Sequence, residues 1–178
     1  QESVKWFRKA TELSPNREFG YSNLGWLLVN SEPQKATAEF LRAFQLTPEK
    51  RGVCFALGYS LLKESKTDLA AQAMQLALIQ NPGLFTSSIW RTSELSQLYP
   101  LVLTQFENYL KTRLEREDTG SCDSDGLYQT LGMLHWWNGK YDLAKKAFEH
   151  TENPLNEAIL QLAESTDGRQ LAKEKNFR

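Results

Sequence analysis

Cysteine is almost missing from this 178-residue chain, which holds only Cys54 and Cys122. Cys54 stands inside a helical pattern and Cys122 in a polar stretch, so the two form neither a disulfide framework nor a metal-ligand cluster, and the redox compartment stays open. An excess of one charge sign is missing as well. There are 21 Lys plus Arg against 22 Asp plus Glu, for a formal charge of -1, which argues against a general binder of phosphate backbones. The longest apolar run, around residues 24–29, is far too short to span a bilayer, and the first residues lack the basic-then-apolar layout of a signal peptide. The chain reads as soluble, with the cytoplasm slightly favoured. No segment carries a convincing strand pattern.

Aromatic residues and an internal repeat are what the chain does have. Five Trp, six Tyr and nine Phe are generous for this length, so some of them are expected on a surface. One pattern recurs three times: Tyr21..Leu24-Gly25..Leu28 with Ala36...Phe40..Ala43....Pro48; Leu57-Gly58..Leu61 with Ala70...Met74..Ala77....Pro82; and Tyr128..Leu131-Gly132..His135 with Ala144...Phe148. Gly25 to Gly58 is 33 residues and Pro48 to Pro82 is 34, a period that means stacked helical hairpins. Residues 4–15 match the second half of such a unit, Phe7, Ala10 and Pro15 aligning with Phe40, Ala43 and Pro48. From this half unit the sequence reading expects further repeats or another domain upstream of Gln1.

Turn chemistry places helices at about 2–14, 17–30, 34–46, 50–64, 67–80, 86–98, 100–117, 124–138, 141–151 and 155–164. Pro33, Pro100 and Pro154 each suit a first helical turn, where the missing N–H is harmless. A mid-helix Gly costs roughly 1 kcal/mol relative to Ala, so Gly25, Gly58 and Gly132 predict close approach of a facing helix. Leu24, Leu57 and Leu131 with Phe40, Met74 and Phe148 are the expected interior ladder. Leu103, Phe106, Leu110 and Leu114 form an apolar stripe on a helix opened by Pro100, beside a polar loop over 119–125. Trp6 and Trp90 read as core, and Ala158, Ile159, Leu162 and Ala163 as a capping helix before a tail over 173–178.

The Leu-Gly, Ala, aromatic, Ala and Pro combination resembles the tetratricopeptide repeat over about residues 3–83 and 124–165. Asn138-Gly139-Lys140-Tyr141 also resembles that family's turn between helices. The resemblance implies an all-α fold, a right-handed α-solenoid of antiparallel helix-turn-helix repeats with one degenerate or inserted helical pair. A single domain over 1–178 is expected, made of a half repeat (1–15), repeats at 17–49 and 50–83, an irregular pair and loop (84–122), a repeat at 123–153, and a cap and tail (154–178).

The resemblance also implies that the first helices of successive units line a concave groove. Removing the ladder residues leaves Phe19, Ser22, Trp26, Val29 and Asn30 on one helix, Phe55, Tyr59, Leu62 and Lys63 on the next, and Gln129, Met133, Trp136 and Trp137 on the last. Trp26, Tyr59, Met133 and Trp136 are candidates for recognising an apolar or amphipathic segment of a protein or peptide partner. The same composition fits burial beneath the irregular unit or a chain terminus. Some family members clamp an acidic C-terminal peptide with Lys and Asn, but Trp26 and Tyr59 stand where Asn is expected.

No catalytic residue, metal site or cofactor is expected. His135 stands where Leu28 and Leu61 stand in the other units, His150 falls near a helix end, and neither lies beside an evident nucleophile. Asp123-Ser124-Asp125 reads as a loop and helix cap, with cation binding as its other reading. The expected role is a protein-interaction scaffold without nucleic-acid binding or membrane insertion. The alternative is a regulatory or substrate-guiding domain of a larger enzyme, such as a glycosyltransferase or a membrane polysaccharide polymerase or ligase, an idea resting on analogy.

Overall fold

A computed structural model of the chain describes residues 2–116 and 122–164. Among the described residues every regular element is helical: α1 (Glu2–Leu13), α2 (Glu18–Leu28), α3 (Pro33–Leu46), α4 (Val53–Lys63), α5 (Thr67–Gln80), α6 (Tyr99–Arg116), α7 (Cys122–Trp137), α8 (Tyr141–Phe148) and α9 (Leu155–Glu164). Two short 3-10 turns, Pro82–Thr86 and Ser88–Arg91, stand between α5 and α6. The chain divides into two compact units. Residues 1–84 and 94–105 make the first; residues 85–93 and 106–178 belong to the second.

In the first unit α1 packs on α2, α2 on α3, α3 on α4 and α4 on α5, each helix against the next in the chain. Every link between them is short, so the chain reverses at each and neighbouring helices form hairpins. The repeated glycines explain how closely they pack. A Cβ on Gly25 would stand 2.6 Å from the Phe40 ring, and one on Gly58 would stand 2.6 Å from Met74 Cγ and 2.9 Å from the Ala70 carbonyl oxygen. Leu24, Leu28, Val29, Ala36, Phe40 and Ala56 form one buried cluster, against which Val4, Phe7, Leu57 and Tyr59 pack from its edge. A polar contact joins consecutive hairpins within this unit: the buried Thr37 hydroxyl is shared between Ser60 Oγ, 2.9 Å away, and the Glu64 carboxylate. Burial pushes the Glu64 carboxyl up, yet Lys66 and Thr37 outweigh it and hold the group below its ordinary value. The first residues of α6 are tied to α5, where Gln75 Nε2 donates to the Gln105 carbonyl at 2.9 Å.

The second unit repeats the hairpin with α7 and α8, and α9 follows on α8. Here a Cβ on Gly132 would run into the Phe148 ring, the same Gly-to-ladder contact as in the first unit. Phe106 and Leu110 of α6 are buried, as are Leu131, Leu134, His135, Ala144, Ala147 and Phe148.

Two sequence expectations are corrected. Residues 86–98 are not an α-helix: after the turn Ser88–Arg91 the chain runs through bends and turns to α6. The reason is local, because Ser87 is extended and its side chain accepts from the Ile89 N–H, capping a short turn, while the buried Phe85, Trp90, Leu95 and Leu98 follow no 3.6-residue period. Trp90 is buried as expected, but Trp6 is 64% exposed. It lies roughly 100–160° around the helix from Val4, Phe7 and Thr11, the residues through which α1 meets the core and Gly20. The polar loop expected at 119–125 overlaps residues 117–121, outside the described residues, and α7 begins at Cys122. The tail over 173–178 and the Asp123 side chain also lie outside them.

Candidate functional site

In the first unit an open cleft of about 450 Å³ lies between α2, the start of α4 and the end of α5. Phe19, Ser22, Asn23 and Trp26 share one face of α2 because residues three, four and seven apart lie above one another, and all four line the cleft. Val53, Phe55 and Ala56 come from the first turn of α4, Ala77 and Asn81 from the end of α5, and Phe40 forms the floor. The volume lies within the range of small-molecule and peptide side-chain pockets.

Phe19 is 63% exposed and Trp26 45% exposed, yet both are braced. The Trp26 ring stands edge-on to Phe40 at 5.4 Å, and the Phe19 ring edge-on to Phe7 at 6.2 Å. Large aromatic surface held on two packed rings loses little rotamer freedom when a partner covers it. The rim is polar. Lys50 pairs with Glu18 at 2.8 Å, and the exposed Arg51 stands next to it in the turn before α4, where Gly52 takes the left-handed conformation at φ 92°. Asn23 donates to the Phe19 carbonyl of its own helix at 2.7 Å.

Tyr59 and Lys63 lie along α4 beyond this cleft. The Tyr59 ring is 6.0 Å from Trp26, its hydroxyl donates to Glu94 Oε2 at 2.6 Å, and Lys63 pairs with Glu94 Oε1. Lys63 and then Tyr59 hold the Glu94 carboxyl below the usual carboxylate range. The Lys63 ammonium is pushed up chiefly by Glu94, and the Tyr59 phenol is pushed up by burial and then by its bond to Glu94.

The other expected groove residues divide by environment. Val29 and Phe55 are buried, Ser22 and Leu62 half-buried, and Asn30 exposed. Val29 belongs to the hydrophobic cluster and turns its side chain inward. In the second unit Gln129 Nε2 donates to Asn156 Oδ1 of α9 at 2.9 Å, and Asn156 Nδ2 donates to Thr151 at 2.6 Å. Trp137 meets Phe85 edge-on at 6.2 Å. Met133 and Trp136 are half-buried, and the Trp136 Nε1 is buried without a hydrogen-bond partner. Gln129 and Trp137 are thus engaged by the second unit's own residues, whereas Phe19 and Trp26 face an open cleft in the first.

Lys50, Arg51, Asn81 and Glu94 were not among the expected residues. Lys50 and Arg51 had a usable signal, since they lie in the turn immediately before α4 and so near the first residues of that helix. Glu94 had none, because its position depends on an irregular stretch. His135 is 3% exposed, and burial pushes its imidazole below the ordinary value. Among the described residues no three His, Cys, Asp or Glu side chains converge as metal ligands do, and no helix is long and apolar enough to cross a membrane.

Residues 126–150, running through α7 and α8, match the family model of the tetratricopeptide repeat. No curated protein matches the chain. The matched hairpin, and the consecutive all-helical packing with the same Gly contact at Gly25 and Gly58, support a tetratricopeptide-repeat-like domain.

Proposed function

We propose that the domain is a protein-interaction module that receives a segment of a partner protein in the first unit's cleft. Tetratricopeptide repeats are characteristically interaction scaffolds, and the observation that carries the reading here is the exposure of Phe19 and Trp26 on an open cleft. Braced aromatic side chains in a concave site are the type of residue that dominates binding energy. The polar rim around them, Lys50 paired with Glu18 and Asn23 and Asn81 beside it, suits the backbone of a bound segment.

The test is affinity capture from a lysate of the source cells with three forms of the domain. Phe19→Ala/Trp26→Ala removes both anchors, while Leu69→Ala removes an exposed apolar residue of α5 outside the cleft. The expected result is loss of specific partners by the double variant alone, both variants keeping the parent's helical circular dichroism. Equal capture by the double variant and the parent would sink the proposal.

A further inference from the structure

In the first unit the Glu94 carboxylate is held by two donors of α4. The Tyr59 hydroxyl bonds Oε2 at 2.6 Å, and the Lys63 ammonium pairs with Oε1. Lys63 also stands 5.2 Å from the Tyr59 ring centre, and that ring lies 6.0 Å from Trp26, a wall of the open cleft. A seat for a carboxylate therefore adjoins the aromatic anchor.

Two observations separate this seat from a contact needed for folding. The segment that carries Glu94 is pinned by Leu95 and Leu98, both buried, so it has an anchor without the ion pair. The pair itself is open to water, with side-chain exposures of 24% for Lys63 and 45% for Glu94. Such pairs shift an equilibrium by roughly fivefold at most, and a carboxylate tethered nearby at high effective concentration competes with them readily.

We propose that Lys63 and Tyr59 form an acidic-residue subsite beside the cleft, next to Trp26, filled by Glu94 in the free chain and taken over by an Asp or Glu of the bound partner segment. The inference rests on the reading that the cleft binds such a segment. It also defines a motif. The two steps from Trp26 to Tyr59 and from Tyr59 to Lys63 are crossed by an extended peptide in about three or four residues, at about 3.3 Å each. The partner is therefore a peptide with a large apolar residue and an acidic residue within about four positions. Glu94 competes for the seat and so weakens capture of the acidic residue.

Random peptides displayed on phage, selected on the unsubstituted domain and on Lys63→Met, Glu94→Gln and Trp26→Ala variants, test the proposal. Fluorescence polarisation then compares the selected peptides with analogues in which the acid is replaced by its amide. The unsubstituted domain is expected to select the apolar-acidic pair and to favour acid over amide by less than about fivefold, because Glu94 already fills the seat, and Glu94→Gln to approach that limit. Glu94→Gln should bind the acidic peptide more tightly, and Lys63→Met should keep the apolar residue but lose the acid preference. The proposal is overturned if Lys63→Met retains that preference, or if the selected peptides carry an apolar residue and no acid; the cleft reading survives both results. If Trp26→Ala selects the same peptides, or the unsubstituted domain selects none, the cleft reading fails and takes the subsite with it.

Discussion

Gly58 shows how one missing side chain sets the spacing of two helices. Its notional Cβ meets the flexible Met74 but also the Ala70 carbonyl oxygen at 2.9 Å, which belongs to backbone and cannot swing away. Gly58→Ala should gain about 1 kcal/mol of helix propensity and lose more to overpacking, which costs about 1–3 kcal/mol. A lower Tm by thermal circular dichroism is the expected result. Gly126→Ala is its counterpart, for beyond the adjoining residues and the backbone of its own helix no atom lies within 4 Å of the added methyl in the exposed part of α7. That variant should raise Tm, by the propensity gain alone. His135 is the other informative residue. It replaces the leucines of the earlier units, its Nδ1 is buried without a partner, and burial depresses its basicity. The surrounding charges act in both senses, Glu107 favouring the proton and Lys140 and Lys111 opposing it. With the folded value below the unfolded one, the unfolded chain takes up the proton first. Stability is therefore fully present above the unfolded value, about 6.5, and declines as pH falls through it toward the folded value. His135→Leu should remove this component of the pH dependence, measured as urea midpoints between pH 7.5 and 5.5; an unchanged slope would contradict the assignment.

Helix ends show the same logic one level up. The turn from α4 to α5 and the turn from α7 to α8 are built alike. The Lys66 N–H bonds the Leu61 carbonyl at 2.9 Å, and the Lys140 N–H bonds the His135 carbonyl at 2.8 Å. Each turn contains one residue in the left-handed region, but it is Ser65 at φ 62° in the first and Gly139 at φ 72° in the second. A residue with a Cβ is strained there by about 1–2 kcal/mol, part of which Gly returns through its freer unfolded chain. Ser65→Gly should therefore stabilise the domain by about 0.5–1 kcal/mol, read from chemical denaturation, and Gly139→Ser should destabilise it by a similar amount. The segment 86–98 marks the limit of element-level reading. Its Ser, Thr and Leu content fits a helix by composition, but the Ser87 cap and the spacing of its buried residues favour turns.

For the whole chain, stability is expected to be local. Helices in an array of hairpins contact chiefly their neighbours in sequence, so damage to one hairpin weakens that hairpin and those beside it. Hydrogen exchange measured on Gly58→Ala should therefore accelerate most in α4 and α5, next in α3, and least in α7 and α8, which have their own Gly132 and Phe148 contact. Uniform acceleration throughout would show that the chain opens as a single cooperative body.

The hairpins were legible in the sequence because their determinants are short-range. A Gly facing a ladder residue, small Ala residues nearby and a reversal at each end are all encoded within about 34 residues, the repeat period. The same register pointed to Phe19 and Trp26 as surface aromatics, and their exposure agrees with it. Yet Val29, counted onto the same face, is buried, and Gln129 and Trp137 are engaged by Asn156 and Phe85. Trp6, which read as core, lies open because α1 meets α2 through its opposite side. A helical period states which residues share a face; it does not state what covers that face. Sequence alone thus determined helices, their pairing and a surplus of aromatic residues. Tertiary structure decided which aromatics stay exposed and that Glu94 meets Tyr59 and Lys63, because burial and ion pairing depend on segments distant in sequence whose course no local period records.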